Sequence, residues 1–307
     1  MVAVFISIGN VWWRKKRQCS VEGLCGSLKR RKRALNAALL VDATHYKRLR
    51  RSLAGSSMQT IASGVQSATV IIGASGGIGS ALVRRYLALG DCETVFAVSR
   101  VPPTSSVALS DTRLRWLLCD ASEQNVKLVV DELVSSGLSL RRIIICTGLL
   151  HNDAITPEKS LDKLDPDAMR AVFDVNLVVP ALWLAALVKP LRRATGSVIA
   201  VLSARVGSIT DNRLGGWYSY RSSKAALNMF LKSASIEYSR RSPGVKLVSF
   251  HPGTTDTYLS SPFQANVASE ALFTPDFVAD RLVKLLDEVQ PDGQLSFLDW
   301  AGIEIPW

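Results

Sequence analysis

Cysteine and histidine are scarce in this chain, and those present are badly placed for metal or disulfide chemistry. Five cysteines stand at 19, 25, 92, 119 and 146. Their odd number and wide spacing exclude a disulfide framework and give no zinc pattern. The last three read as buried apolar thiols. His45, His151 and His251 lack helical ligand spacing, so no metal site is expected. His251, just before Pro252, reads as structural. No unbroken apolar run reaches the roughly 20 residues of an orthodox transmembrane helix, and no internal repeat is visible. Acids are nearly missing from one region only. Residues 1–66 hold 13 Lys+Arg against 2 Asp+Glu, the whole of the +11 surplus, whereas residues 67–307 hold 24 of each. The larger part is neutral overall and has no electrostatic reason to bind nucleic acid.

The first 66 residues are rich in arginine and serine, which suits an organellar transit peptide. Leu35 to Leu53 has the pattern of a basic amphipathic helix, and Lys29-Arg30-Arg31-Lys32-Arg33 matches a crude nuclear-localisation pattern. An apolar opening with the basic cluster after it reverses the order of a secretory signal, which leaves a short interfacial anchor open. Met58 offers a second start just ahead of the first strand. The expectation is a basic extension over 1–66 and one catalytic domain over 67–307. The location is an organelle, chloroplast or mitochondrion, if the extension is a transit peptide. It is cytoplasmic if translation starts at Met58.

Glycines, by contrast, are concentrated where they carry information. Thr69-Val70-Ile71-Ile72 is a short β-rich run of the kind that forms a buried parallel strand. Gly73-Ala74-Ser75-Gly76-Gly77-Ile78-Gly79 follows at once, and Ala81 to Leu89 reads as an amphipathic helix stopped by Gly90. Strand, glycine turn and helix in that order form a cradle for a dinucleotide pyrophosphate. The candidate cradle residues are Gly73, Ser75, Gly77, Ile78 and Gly79, with the helix N-terminus facing the phosphates. The second strand, Thr94 to Val98, ends in Ser99-Arg100 where an acid would hold the ribose hydroxyls of NAD. Serine and arginine instead suit a 2′-phosphate, so NADP(H) is expected over NAD(H). A third strand over Arg113–Leu118 ends at Asp120, placed to accept the adenine amino group. A fourth, Ile143-Ile144-Ile145, ends in Cys146-Thr147-Gly148. Strands alternating with helices predict a doubly wound parallel sheet with ligands beyond the carboxyl ends of its strands.

A fifth strand, Ser197–Leu202, precedes Ser203. A long helix is then predicted from about Trp217 to Arg240, with Tyr220 and Lys224 one turn apart on one face. A free phenol has a pKa of about 10, and a neighbouring ammonium favours its ionised form. The pair is therefore the candidate acid/base for hydride transfer to a carbonyl or from an alcohol.

These residues together resemble the short-chain dehydrogenase/reductase family. The resemblance rests on Gly73/Gly77/Gly79, Asp120, Asn176, Ser203, Tyr220, Lys224 and His251-Pro252-Gly253. The stretch from Gly207-Ser208-Ile209 through Gly215-Gly216 to Asn228 resembles the C-factor-like and Sniffer-type carbonyl reductase branch. The resemblance implies a single-domain Rossmann fold of about seven strands and an active site of Asn176, Ser203, Tyr220 and Lys224. It further implies that Asn176 kinks its helix and holds a water relaying protons to Lys224. Gly148, Pro252, Gly253, Thr255 and Thr257 would contact the cofactor. Thr254–Thr274 would form a lid over a small or lipophilic carbonyl or alcohol. The helices at 174–189 and 217–240 would pair subunits, as a homodimer or homotetramer.

Two departures stand out. The family's Asn-Asn-Ala-Gly segment is Ile145-Cys146-Thr147-Gly148 here, so strand-end hydrogen bonding must be met another way. Counting back from Gly207 puts the serine role on Ala204 rather than Ser203. Three solutions are open: the loop shifts so that Ser203 serves, Ser208 reaches in, or the hydroxyl is missing. Ser203 is the candidate. The rival function, from another class, is a nucleotide-bound signalling or scaffold protein with little turnover.

Overall fold

The central strands are apolar on both faces, and that pattern decides the architecture. In a computed structural model, which describes residues 66–90, 94–102 and 110–307, seven parallel strands form one sheet. They are β1 (Ser67–Ile72), β2 (Thr94–Ser99), β3 (Leu114–Leu118), β4 (Ser139–Ile145), β5 (Ser197–Leu202), β6 (Val245–His251) and β9 (Leu295–Asp299), in the order β3-β2-β1-β4-β5-β6-β9. The order reverses between β1 and β4, the crevice where such sheets bind ligands. Ile72 is in register with Val98 on one side and Ile145 on the other. Gly73, Ser99 and Cys146 therefore leave the sheet at one level. The fold is the doubly wound Rossmann arrangement expected from the alternating pattern.

Alternate residues of each strand serve opposite layers. Val70, Ile143, Ile199 and Leu247 pack under α2 (Glu123–Ser135), α4 (Val179–Leu187) and α5 (Tyr218–Arg241), through Leu133, Trp183, Leu187, Leu227 and Leu231. Ile71, Ile144, Ala200 and Val248 pack under α1 (Gly77–Ala88) and α6 (Pro275–Glu288), through Leu82, Tyr86, Leu282 and Leu286. Each such large apolar side chain, once buried, contributes about 1.5–3 kcal/mol. The helix starts are encoded locally. Ser122, Asp165 and Thr274 each accept a first-turn backbone N–H, and proline follows the latter two.

The helical run Pro166–Leu187 holds α3 (Pro166–Phe173), a wide five-residue turn over Asp174–Val178, and α4. The kink expected at Asn176 falls in that turn. By length and composition this run is apolar enough to cross a membrane, which a search for unbroken apolar stretches missed. In the fold, Trp183, Leu184 and Leu187 are buried in the core. Tyr238 Oη donates to Leu184 O and Ser242 Oγ to Val188 O, fastening α5 to α4. Beyond β6, the two-residue strands β7 (Thr254–Thr255) and β8 (Leu272–Phe273) pair and gather the segment between them into a loop over the crevice. α1 begins at Gly77, four residues before the expected start, because the glycines themselves supply its first turn. Apart from Gln66, the extension expected over 1–66 lies outside the described residues, as does Cys92.

Candidate active site

At the end of β1 the chain turns with Gly73 at φ +86°, and the N–H groups of Gly73 and Ala74 both donate to Val98 O. A Cβ on Gly79 would lie 2.2 Å from Gly73 O, and one on Gly77 2.5 Å from Thr257 Cγ2. The turn therefore closes against its own helix and against the segment after β6 only because both side chains are absent. Gly76 precedes α1 without supplying a side-chain cap, and the first turn holds no acid. Its free N–H groups suit a phosphate. Gly79→Ala should force the turn off α1, lowering stability by about 1–3 kcal/mol and abolishing dinucleotide binding. Thermal unfolding and calorimetric titration with NADP+ would check this.

A cavity of about 760 Å³ runs from Gly76, Gly77, Ile78, Gly79 and Arg100 past Cys146, Thr147 and Gly148 to Ala204, Tyr220 and Lys224. Pro252, Gly253, Thr255 and Thr257 also face it, while Ser75 is exposed beside the turn. Arg100 is exposed at the cavity. Ser99 is different. Its buried hydroxyl donates to Val101 O and accepts from Trp116 Nε1 at 2.9 Å, so it has no proton left for a phosphate. Asp120 Oδ1 accepts from Ser122 N and Asn125 Nδ2, both at 2.9 Å, and closes the turn into α2. Hydrogen bonds from the Ser122 side chain and backbone, and from Asn125, hold its pKa below the usual carboxylate range. Asp120 is outside the cavity wall.

The strand-end bonding that asparagines would supply comes from elsewhere. Cys146 N donates to Ile72 O at 2.7 Å. Asn176, fully buried, accepts from Leu149 N at 2.7 Å and donates to Leu149 O at 2.9 Å and Ser223 Oγ at 3.0 Å. Ser223 Oγ in turn donates to Tyr220 O. Asn176 thus knots the loop after β4 to α5, and both its amide protons are committed. Desolvation pushes the thiol of Cys146, half-buried at the cavity wall, up to about 12.

Tyr220 and Lys224 are both buried on the cavity face of α5. Lys224 Nζ donates to Leu202 O at 2.8 Å and sits 5.9 Å from the centre of the Tyr220 ring. Desolvation dominates here. It lowers Lys224 to about 7 and raises the Tyr220 phenol above its ordinary value. The lowering of the Tyr220 pKa expected from Lys224 has no counterpart in this shift, which burial alone directs upward.

Gly207 fixes the serine question. A Cβ there would meet Lys224 at 2.8 Å, so the loop after β5 is pinned directly on α5. Three residues earlier, Ala204 packs with Tyr220 and Leu150. Ser203 reaches the cavity wall, but its Oγ donates to Asn228 Oδ1 at 2.8 Å, as does Ser249 Oγ. Ser208 Oγ accepts from Asp211 N and lies outside the wall. The loop does not shift, and a methyl group, not a hydroxyl, faces the phenol. The role expected of Ser203 is corrected accordingly to anchoring Asn228.

After β6, Gly253 at φ +73° lets Phe273 approach, since a Cβ would lie 2.6 Å from its ring. Thr255 and Thr257 hydroxyls bond within this segment, to Pro252 O and Thr255 O. Burial lowers His251 to about 4, leaving it neutral at neutral pH. Sequence reasoning missed Glu158, a buried acid that accepts from Ser219 N at the start of α5. It also missed the ring wall of Trp217, Tyr258 and Phe263. Nothing local marks Glu158; the left-handed glycines before Trp217 were the available signal for that wall.

The profile described as short chain dehydrogenase matches residues 67–268, covering the turn, Asn176, Tyr220 and Lys224. The chain belongs to the short-chain dehydrogenase family. Within it, the chain is 32% identical to the C-signal protein of Myxococcus xanthus over 168 residues, which are 53% of this chain and 96% of that one. It is similar to the NADPH-bound carbonyl reductase from chicken fatty liver, at 25% identity and TM-score 0.66, covering 79% of this chain and 99% of the other. It shares its fold with the carbonyl reductase Sniffer of D. melanogaster, at 21% identity and TM-score 0.68, covering 80% and 100%.

Proposed function

We propose that this short-chain dehydrogenase is an NADP(H)-dependent carbonyl reductase acting on small or lipophilic carbonyls. One observation carries the reading: a buried phenol, with a buried amine beneath it, faces an apolar part of the same cavity whose other part is a glycine cradle and Arg100. The similarity to an NADPH-bound carbonyl reductase supports it. The cradle of Gly73, Gly77, Ile78 and Gly79 would hold the pyrophosphate, Arg100 the 2′-phosphate, and Gly148, Pro252, Gly253 and Thr255 the nicotinamide portion. The cofactor, when bound, supplies the hydride. Tyr220 supplies the proton. A phenol, with an ordinary pKa of about 10, is protonated at neutral pH, the form needed to donate to a carbonyl oxygen. Lys224 positions the phenol from below, and Asn176 holds the loop and helix that frame it. With Ala204 in place of a hydroxyl, Tyr220 is the site's donor to the substrate oxygen.

Arg100→Glu should weaken NADPH by about 10–100-fold, the scale of one charge-assisted hydrogen bond, and leave NADH affinity unchanged. Calorimetric titration with both checks it. The rival reading, a nucleotide-bound signalling protein with little turnover, draws on Ala204 and on the similarity to a protein named C-signal. NADPH consumption with a panel of carbonyls separates the two: carbonyl-dependent consumption supports the reductase, and its absence across the panel supports the rival.

A further inference from the structure

Three consecutive residues ahead of α5 are left-handed: Gly215 at φ +63°, Gly216 at +65° and Trp217 at +49°. Glycine adopts this region freely, but a tryptophan there is sterically strained. The strain is held from several sides. Trp217 N donates to Glu158 O at 2.5 Å, and Arg221 Nε donates to Gly215 O at 3.1 Å and Gly216 O at 3.0 Å. The buried Glu158 carboxylate secures Ser219 next in line. A residue needed there only for its left-handed backbone would be glycine. What the tryptophan adds is its ring, which lines the cavity. The indole stands edge-on to Tyr220, with centroids 6.3 Å apart at 80°, and 4.9 Å from Phe263. Phe263 meets His151 edge-on at 5.7 Å, and His151 lies 4.9 Å from Tyr258. Leu150, Ala204 and Leu259 complete an apolar wall beside the phenol.

Resting on the reductase reading, we infer that Trp217 is the specificity-determining residue and that the cavity takes a planar aryl carbonyl. The aryl ring lies among Trp217, Phe263 and Leu259, with the carbonyl oxygen turned to Tyr220. Strain held at a cavity residue by its surroundings marks a side chain placed for a ligand. Rings offering both edge and face favour an aromatic partner over an equally apolar saturated one.

The test uses acetophenone and cyclohexyl methyl ketone, which share a carbon skeleton and differ in aromaticity. Calorimetric titration of the full chain, with and without NADP+, should show acetophenone binding about fivefold tighter. Trp217→Gly keeps a residue suited to the left-handed position and should remove the preference, while Trp217→Phe should retain it. Equal binding of the two ketones by the native protein would overturn the inference. So would a preference that survives in Trp217→Gly. Turnover reports separately. Selective binding without reduction of either ketone supports the aryl site and defeats the reductase reading. Reduction of both at equal kcat/KM, with equal affinity, defeats the aryl site and leaves the reductase standing.

Discussion

Tyr220→Phe is expected to lower kcat for carbonyl reduction by about 10²–10⁴-fold, the usual worth of a positioned general acid. NADPH affinity and the KM for the carbonyl should change little, because the ring and its contacts with Trp217 and Ala204 remain. Among the described residues no hydrogen bond reaches the Tyr220 hydroxyl, so its removal leaves no orphaned partner. Thermal stability should be unchanged or slightly higher, which separates a chemical loss from a folding loss. Steady-state kinetics on both proteins, with calorimetry for NADPH, read all of these together. In the native enzyme the reductive rate should stay high through neutral pH and fall only in strong alkali. The raised phenol pKa predicts that sign, since ionisation removes the proton to be donated.

Lys224→Met should make the protein inactive yet more stable, and the gain should depend on pH. Burial lowers the amine from 10.5 to about 7. Between those values the unfolded chain binds a proton that the folded protein does not, so native stability rises with pH across that window. Below about pH 7 the folded protein carries the full cost of a buried ammonium, of the order of a few kcal/mol. Methionine fills similar space without charge. It forfeits only the bond to Leu202 O, worth about 1 kcal/mol net. The variant should therefore exceed the native protein in Tm most clearly near pH 6, with the gap closing toward pH 10. A constant or reversed gap would mean that the ammonium is well paired in the fold.

Much of the scaffold was legible because it depends on periodicity. The runs Thr69–Ile72, Thr94–Val98, Ile143–Ile145 and Ser197–Leu202 each fall inside a strand, and the glycine turn needed only its neighbours to be placed. The 3.6-residue repeat put Tyr220 and Lys224 on one face, where they are. What escaped was direction and burial. Ser203 and Ala204 are adjacent at a strand end, where one residue of register reverses which side chain faces the ligand. Spacing to Gly207 favoured Ala204, and Gly207 is pinned against Lys224. Ser99 stands where a phosphate contact was expected, but Trp116 from the neighbouring strand claims its hydroxyl. A cation at i+4 is visible in a sequence, whereas the enclosure that raises the Tyr220 phenol is built by Leu150 and Ala204 from distant segments and by Trp217 at the start of the same helix.

The most direct test of the central claim is a crystal structure of the protein with NADP+ and a bound alcohol product. The alcohol oxygen should lie within hydrogen-bonding distance of Tyr220 Oη, with the Lys224 ammonium on the opposite side of the phenol and Ala204 making no polar contact. An alcohol oxygen held by Ser203 or Arg221, with the Tyr220 hydroxyl turned away from it, would contradict the account.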